Sequence, residues 1–174
     1  MNQFVRDLNL AAPRPNDGRR IEVIVNGLPL FHGAQLAVDT TIVSAVKRDG
    51  TPRPRAAHTD SVAIDRARRL KERTYPELSG EHGRARLVVL AMEVGGRWSS
   101  EAYSFVRQLA EAKARGEPEL LRKVVTRAWQ HRWISVLSVA CQRAIADSLL
   151  ERSACAGADG PIPMGHEVLA DARF

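Results

Sequence analysis

The chain has 174 residues, 44% of them hydrophobic and 26% charged, the length and balance of about one globular domain with a real core. No unbroken apolar run reaches the ~20 residues of a membrane span, and Arg6, Asp7 and Asn9 interrupt the apolar centre that a signal peptide would need, so no membrane association is expected and an intracellular setting is the default. Lys plus Arg outnumber Asp plus Glu by 26 to 20, a net charge of +6 that favours an anionic partner, while the two cysteines, Cys141 and Cys155, lack the spacing of a zinc site.

Residues 1–19 hold Pro13, Pro15 and the Asp17-Gly18 turn signal, which predicts a flexible arm. A first strand is expected over 20–25, and Asn26-Gly27 then gives a hairpin-type turn signal. A long second strand is expected over about 34–46, rich in β-branched residues. Asp49-Gly50 and two prolines make 47–55 a turn-rich loop. A helix should begin after Thr59 or Asp60 and stop at Pro76, its apolar and long residues recurring as Ile64, Ala67, Leu70/Lys71 and Thr74/Tyr75, with Lys71 on the stripe that should face the sheet. After a polar link holding Gly80 and Gly83, residues 87–92 are apolar without interruption, the pattern of a strand covered on both faces. Gly95-Gly96 turns the chain, and Ser99 or Ser100 caps a further helix. The last helix is expected over 119–152, its apolar face including Leu121, Val125, Trp129, Trp133, Leu137 and Leu149, and a mobile tail over 153–174. This order predicts an α/β domain over 20–152, with a small mixed sheet flanked by helices and a long C-terminal helix.

Four ionisable residues stand in or beside the apolar runs: Glu22, Asp39, Lys71 and Glu93. A buried charge without a partner costs several kcal/mol, so each needs compensation. Glu22 could pair with Arg20 or the basic helix, and Glu93 could cap the helix after it. Asp39, in mid-strand, is hardest to place without a cation. Strand alternation puts Asp39 and Thr41 on one face and Val38, Thr40 and Ile42 on the other. Carboxylates brought together suit a divalent metal, and a metal beside a lysine suits phosphodiester cleavage. Lys71 either snorkels to water over its stem or is aimed at a phosphate. Tyr75 either caps the core or reaches that phosphate. The loop cations Lys47, Arg48, Arg53 and Arg55 and the helix cations that include Arg68 would contact nucleic-acid phosphates.

The order Arg20-x-Glu22, Val38-Asp39-Thr40-Thr41, Lys71…Tyr75 and Glu93-Val-Gly-Gly-Arg-Trp98 resembles the restriction-enzyme-like endonuclease region that follows reverse transcriptase in certain non-LTR retrotransposons. That region belongs to the PD-(D/E)xK nuclease superfamily, and the resemblance covers roughly residues 20–150. It implies a restriction-endonuclease-like fold and a DNA endonuclease that nicks its target with Mg²⁺ or Mn²⁺. Glu22 and Asp39 would be the metal ligands, Lys71 the catalytic lysine displaced onto the helix, and Glu93 an accessory acid. Where the family has Pro-Asp this chain has Ile21-Glu22, and Thr41 stands where the D-x-K lysine would be. DNA is the implied partner, with a reverse transcriptase domain of the parent polyprotein as a second. The alternatives are a catalytically decayed nucleic-acid-binding remnant and a helical module docking on a reverse transcriptase core.

Overall fold

The computed structural model describes residues 3–5, 8, 18–78 and 85–155. In chain order the elements are β1 (Gln3–Phe4), β2 (Arg20–Ile21), β3 (Val23–Val25), β4 (Gln35–Val43), α1 (Val62–Thr74), β5 (Ala85–Glu93), α2 (Ser100–Ala114) and α3 (Glu119–Cys155). Their main sheet is mixed, in the order β3-β4-β5: β3 runs antiparallel to β4, and β4 runs parallel to β5. Parallel neighbours need a crossover connection, and α1 lies within it. The mixed α/β class and the long final helix agree with the sequence.

Side-chain alternation divides the core. Ala37, Leu87, Val89 and Ala91 face α1 and pack with Ile64, Tyr75 and Leu78. Leu36, Val38, Val88, Leu90 and Met92 face α2 and α3 and pack with Trp98, Phe105 and Ile145. This two-sided burial explains why β5 is apolar from Leu87 to Met92, each large aliphatic side chain contributing about 1.5 to 3 kcal/mol. Among the described residues β5 has no strand partner on its outer edge. The turn at Gly95-Gly96, with Gly96 at φ +89, folds the chain back so that Ser99 N–H donates to Ala91 O and Glu93 N–H to Arg97 O, both at 2.8 Å.

Several expectations change in detail. The first strand is broken at Glu22: Arg20–Ile21 pairs with Gln3–Phe4, and only Val23–Val25 joins β4. The N-terminal segment is therefore anchored where it is described, with Val5 and Leu8 in the core of the α1 face. Nine residues, 26–34, separate β3 from β4, so Asn26-Gly27 opens a long connection rather than a two-residue hairpin. The second strand ends at Val43, three residues early, where the chain turns into the loop. Neither Thr59 nor Asp60 caps α1; Ser61 precedes it in a left-handed conformation without a side-chain cap bond. Ser99 does cap α2, accepting from Ala102 N–H at 3.0 Å.

The apolar face of α3 is also wider than one contact surface. Leu137, Cys141, Ile145 and Leu149 pack on the sheet, and Trp98 Nε1 donates to Ser138 Oγ at 2.8 Å. Leu121 points outward, as does Leu120, which is 94% exposed. By length and composition alone α3 is apolar enough to cross a membrane, although Arg143 and Asp147 interrupt its apolar stretch. The Gly80–Gly83 link and the tail beyond residue 155 lie outside the described residues.

Candidate functional site

Asp39 stands in the middle of β4, opposite Val89 of β5, and is 3% exposed. It shares the α1 face with Ala37 and Val43, as strand alternation requires. On α1, Lys71 follows Ile64 by two helical turns and so returns to the same stripe. Its Nζ lies 2.6 Å from Asp39 Oδ2, with the lysine side chain 20% exposed. The inward placement of Lys71 and the need of Asp39 for a cation are thus one contact. The ammonium is the partner of that carboxylate oxygen by proximity and charge, since Oδ2 is buried and has no hydrogen bond of ordinary direction.

Glu22 occupies the break between β2 and β3. Its Oε2 accepts from the Thr40 N–H at 2.8 Å and from the Thr40 hydroxyl. A continued antiparallel ladder would have satisfied that N–H with a backbone carbonyl; the carboxylate does so instead. Thr40 belongs to the face opposite Asp39, and Glu22 also borders a cavity of about 340 Å³ walled by Leu90, Trp98, Leu137 and Cys141. Glu22 still lies close enough to act on Asp39. Burial raises the Asp39 pKa above the ordinary aspartate value, Lys71 opposes the rise, and the charge of Glu22 adds to it. Cys141 is likewise raised, first by burial and then by Glu22, so its thiol is not a reactive thiolate.

Glu93 is not part of this cluster. It ends β5 opposite Val43, four residues beyond the partner of Asp39 and so about 13 Å along the strand. There it stands 3.7 Å from Arg97 Nε, and Arg97 is also held by Asp60 at 2.7 Å. Among the described residues no group of three or more His, Cys, Asp or Glu side chains could hold a metal ion.

Tyr75 takes the core role. It is buried, and its hydroxyl donates to Arg20 O at 2.8 Å, joining the end of α1 to β2. Arg53 is a structural donor, its Nε reaching Ser44 O at 2.8 Å, while Asp49 accepts from Thr51 N–H at 2.9 Å to close the turn around Lys47. Arg48 and Arg55 are exposed on that loop. Arg68 does not face outward: its Nε meets Glu101 Oε2 at 2.6 Å, and its NH1 lies 3.2 Å from Glu72. The exposed cations of α1 are Arg66, Arg69 and Arg73, at i, i+3 and i+7 on one outer stripe.

Sequence reasoning missed Glu101. An acid in the first turn of a helix is ordinary dipole complementation, so nothing in the local pattern marks it. In the fold it is a half-buried carboxylate under α1, its side chain 31% exposed. Burial raises its pKa, opposed by Arg68, by a hydrogen bond with the Val89 backbone at the open edge of β5, and by Arg86.

No protein-family model, no curated protein and no solved structure matches this chain.

Proposed function

We propose that the chain is a metal-dependent DNA endonuclease domain of the restriction-enzyme-like kind, the type joined to reverse transcriptase in retrotransposon polyproteins. One observation carries the reading: a buried mid-strand aspartate, Asp39, is met at 2.6 Å by a lysine from the crossover helix, with Glu22 near enough to perturb it. Simple stability gives little reason for that arrangement, since a buried ion pair is often no better than apolar residues of the same volume. Perturbed, charge-coupled groups of this sort gather at functional sites.

Two carboxylates suit Mg²⁺ or Mn²⁺. Such ions keep several waters and take remaining ligands from substrate phosphate, and Asp39 Oδ2 is a buried oxygen met by the Lys71 ammonium, which an ion would have to displace or share. Asp39 and Glu22 would hold the ion, which when bound supplies an activated water and neutralises charge. Lys71, on a flexible four-carbon stem, would place its ammonium against the charge developing on the scissile phosphate. Arg66, Arg69 and Arg73 on the outer stripe of α1, with Arg48 and Arg55 of the loop, would hold the DNA backbone without reading sequence.

A second reading is a nucleic-acid-binding remnant that no longer cleaves. What favours it is closure of the pair: the Asp39 side chain is 4% exposed and already engaged by Lys71. Nicking of supercoiled DNA with Mg²⁺ or Mn²⁺ by wild-type and Asp39→Asn proteins separates the readings. Nicking that depends on Asp39 supports the nuclease, and equal nicking by both proteins removes Asp39 from any mechanism. Salt-dependent DNA binding without nicking by either protein selects the remnant.

A further inference from the structure

The helical hairpin of α2 and α3 carries a second concentration of positive charge, remote in sequence from α1 and the 47–55 loop. Between the helices runs an open groove of about 420 Å³ bordered by Arg107 of α2 and by Arg122, Lys123 and Arg127 of α3. One carboxylate, Glu111, is present, and it is held by Arg107 at 3.0 Å. Arg122 turns its Nε to Glu117 O at 2.9 Å, closing the interhelical turn. Among the described residues neither Lys123 nor Arg127 makes an ion pair, and both are exposed. Four cations against one acid in a concave strip focus a positive field, and Lys123 and Arg127 are the two that no acid among the described residues engages.

We infer that this groove binds the sugar-phosphate backbone of a nucleic acid strand. Lys123 and Arg127 are four residues apart, about 6 Å along the helix axis, comparable to the separation of neighbouring phosphates on one strand. Gln130, a further turn along the same line, borders the groove and offers a neutral donor. Arg107 faces the row from α2. Such a row follows a backbone and is indifferent to the bases. The groove therefore gives the protein a second nucleic-acid contact, whether or not it cleaves. The inference does not rest on the nuclease reading.

The test compares the full chain with a Lys123→Gln/Arg127→Gln variant and with Arg127→Gln alone. Glutamine keeps helix propensity, and a thermal midpoint checks folding. Binding of fluorescein-labelled single strands and duplexes of arbitrary sequence is measured from 50 to 200 mM salt. The double variant should lower the slope of log affinity against log salt by about 0.7 per lost contact on single strands, or about 0.9 on duplex. The single variant should show about half that change. Which substrate shows the larger loss tells whether the natural strand is single or paired. Wild-type slope and affinity in the double variant on both substrates would overturn the inference. So would release from phosphatidylserine vesicles with nucleic-acid binding unchanged, because the groove would then serve a lipid surface. Asp39→Asn nicking reports on the other site, so failure of one leaves the other standing.

Discussion

The two faces of the sheet are built from adjacent residues of the same strands, yet they solve burial differently. Toward α2 and α3, Leu36, Val38, Val88, Leu90 and Met92 close against Trp98 and Phe105 in an apolar core. Toward α1, the same strands present Asp39, and Glu101 reaches in from α2; each meets a cation of α1, Lys71 for one and Arg68 for the other. The first face stabilises by area and packing alone. The second retains two ion pairs whose desolvation offsets much of their attraction. The pairs themselves differ. Glu101 has Arg68, a backbone partner and Arg86 around it, whereas among the described residues Asp39 Oδ2 is met by the Lys71 ammonium alone. A carboxylate with fewer partners is freer to exchange them, which is why the proposed reading looks to Asp39 rather than to Glu101.

The largest effect should fall on activity at Asp39. Asp39→Asn should abolish metal-dependent nicking while leaving DNA affinity equal or slightly higher, because a negative charge near phosphate is removed. Undiminished nicking by the purified variant would sink the assignment. Lys71→Ala should cut single-turnover nicking by about 10² or more with DNA affinity nearly unchanged, the pattern of an interaction made during reaction. It should also lower stability by about 3 kcal/mol, since it strands a buried carboxylate. Lys71→Arg keeps the charge, but its planar fork is a poor substitute for a point charge. A fully active Lys71→Ala would reduce the α1 face to a structural ion pair.

The apolar face supplies the contrasting control. Met92 is fully buried there, and Met92→Ala should cost about 2 to 5 kcal/mol without changing DNA affinity at a temperature where the protein stays folded. A selective loss of binding would show that the two faces are not separable.

The faces should also respond differently to pH. Asp39 and Glu101 have folded pKa values above their ordinary ones of 3.8 and 4.5. As pH rises from those ordinary values through the raised ones, the unfolded chain releases its protons first, so stability falls across that window. Asp39→Asn and Glu101→Gln should each flatten this descent, measured by denaturant midpoints against pH, whereas Met92→Ala should lower the whole curve. An unaltered pH slope in both carboxylate variants would contradict the burial argument. The smallest effect belongs to the outer stripe: Arg66→Ala with Arg69→Ala should weaken binding to all DNA sequences alike and reduce the salt slope by about one per lost phosphate contact.

Much of this was legible in the residues. The unbroken apolar run of β5, the alternation of β4, the stop at Pro76 and the cap at Ser99 are local signals, and each element formed where they stand. Asp39 could be marked as needing a cation, and Lys71 as facing inward, because strand and helix periodicities fix which side of an element a residue occupies. What periodicity lacks is partner choice. That Lys71 meets Asp39, while Arg68 three residues earlier meets Glu101, follows from how α1 crosses the sheet and where α2 begins. That Glu22 stands at a strand break and bonds Thr40 depends on β2 leaving β4 to pair with the N-terminal strand. Glu93 shares a face with Asp39, but the parallel register of β4 and β5 sets it at the far end. The sequence determined the longer elements, the buried sides of β4, β5 and α1 and the net positive charge, because those depend on residues near one another in the chain. Tertiary structure alone decided which charges meet, since a contact between distant segments depends on register and crossing, and it alone gathered the cations of α2 and α3 into one groove.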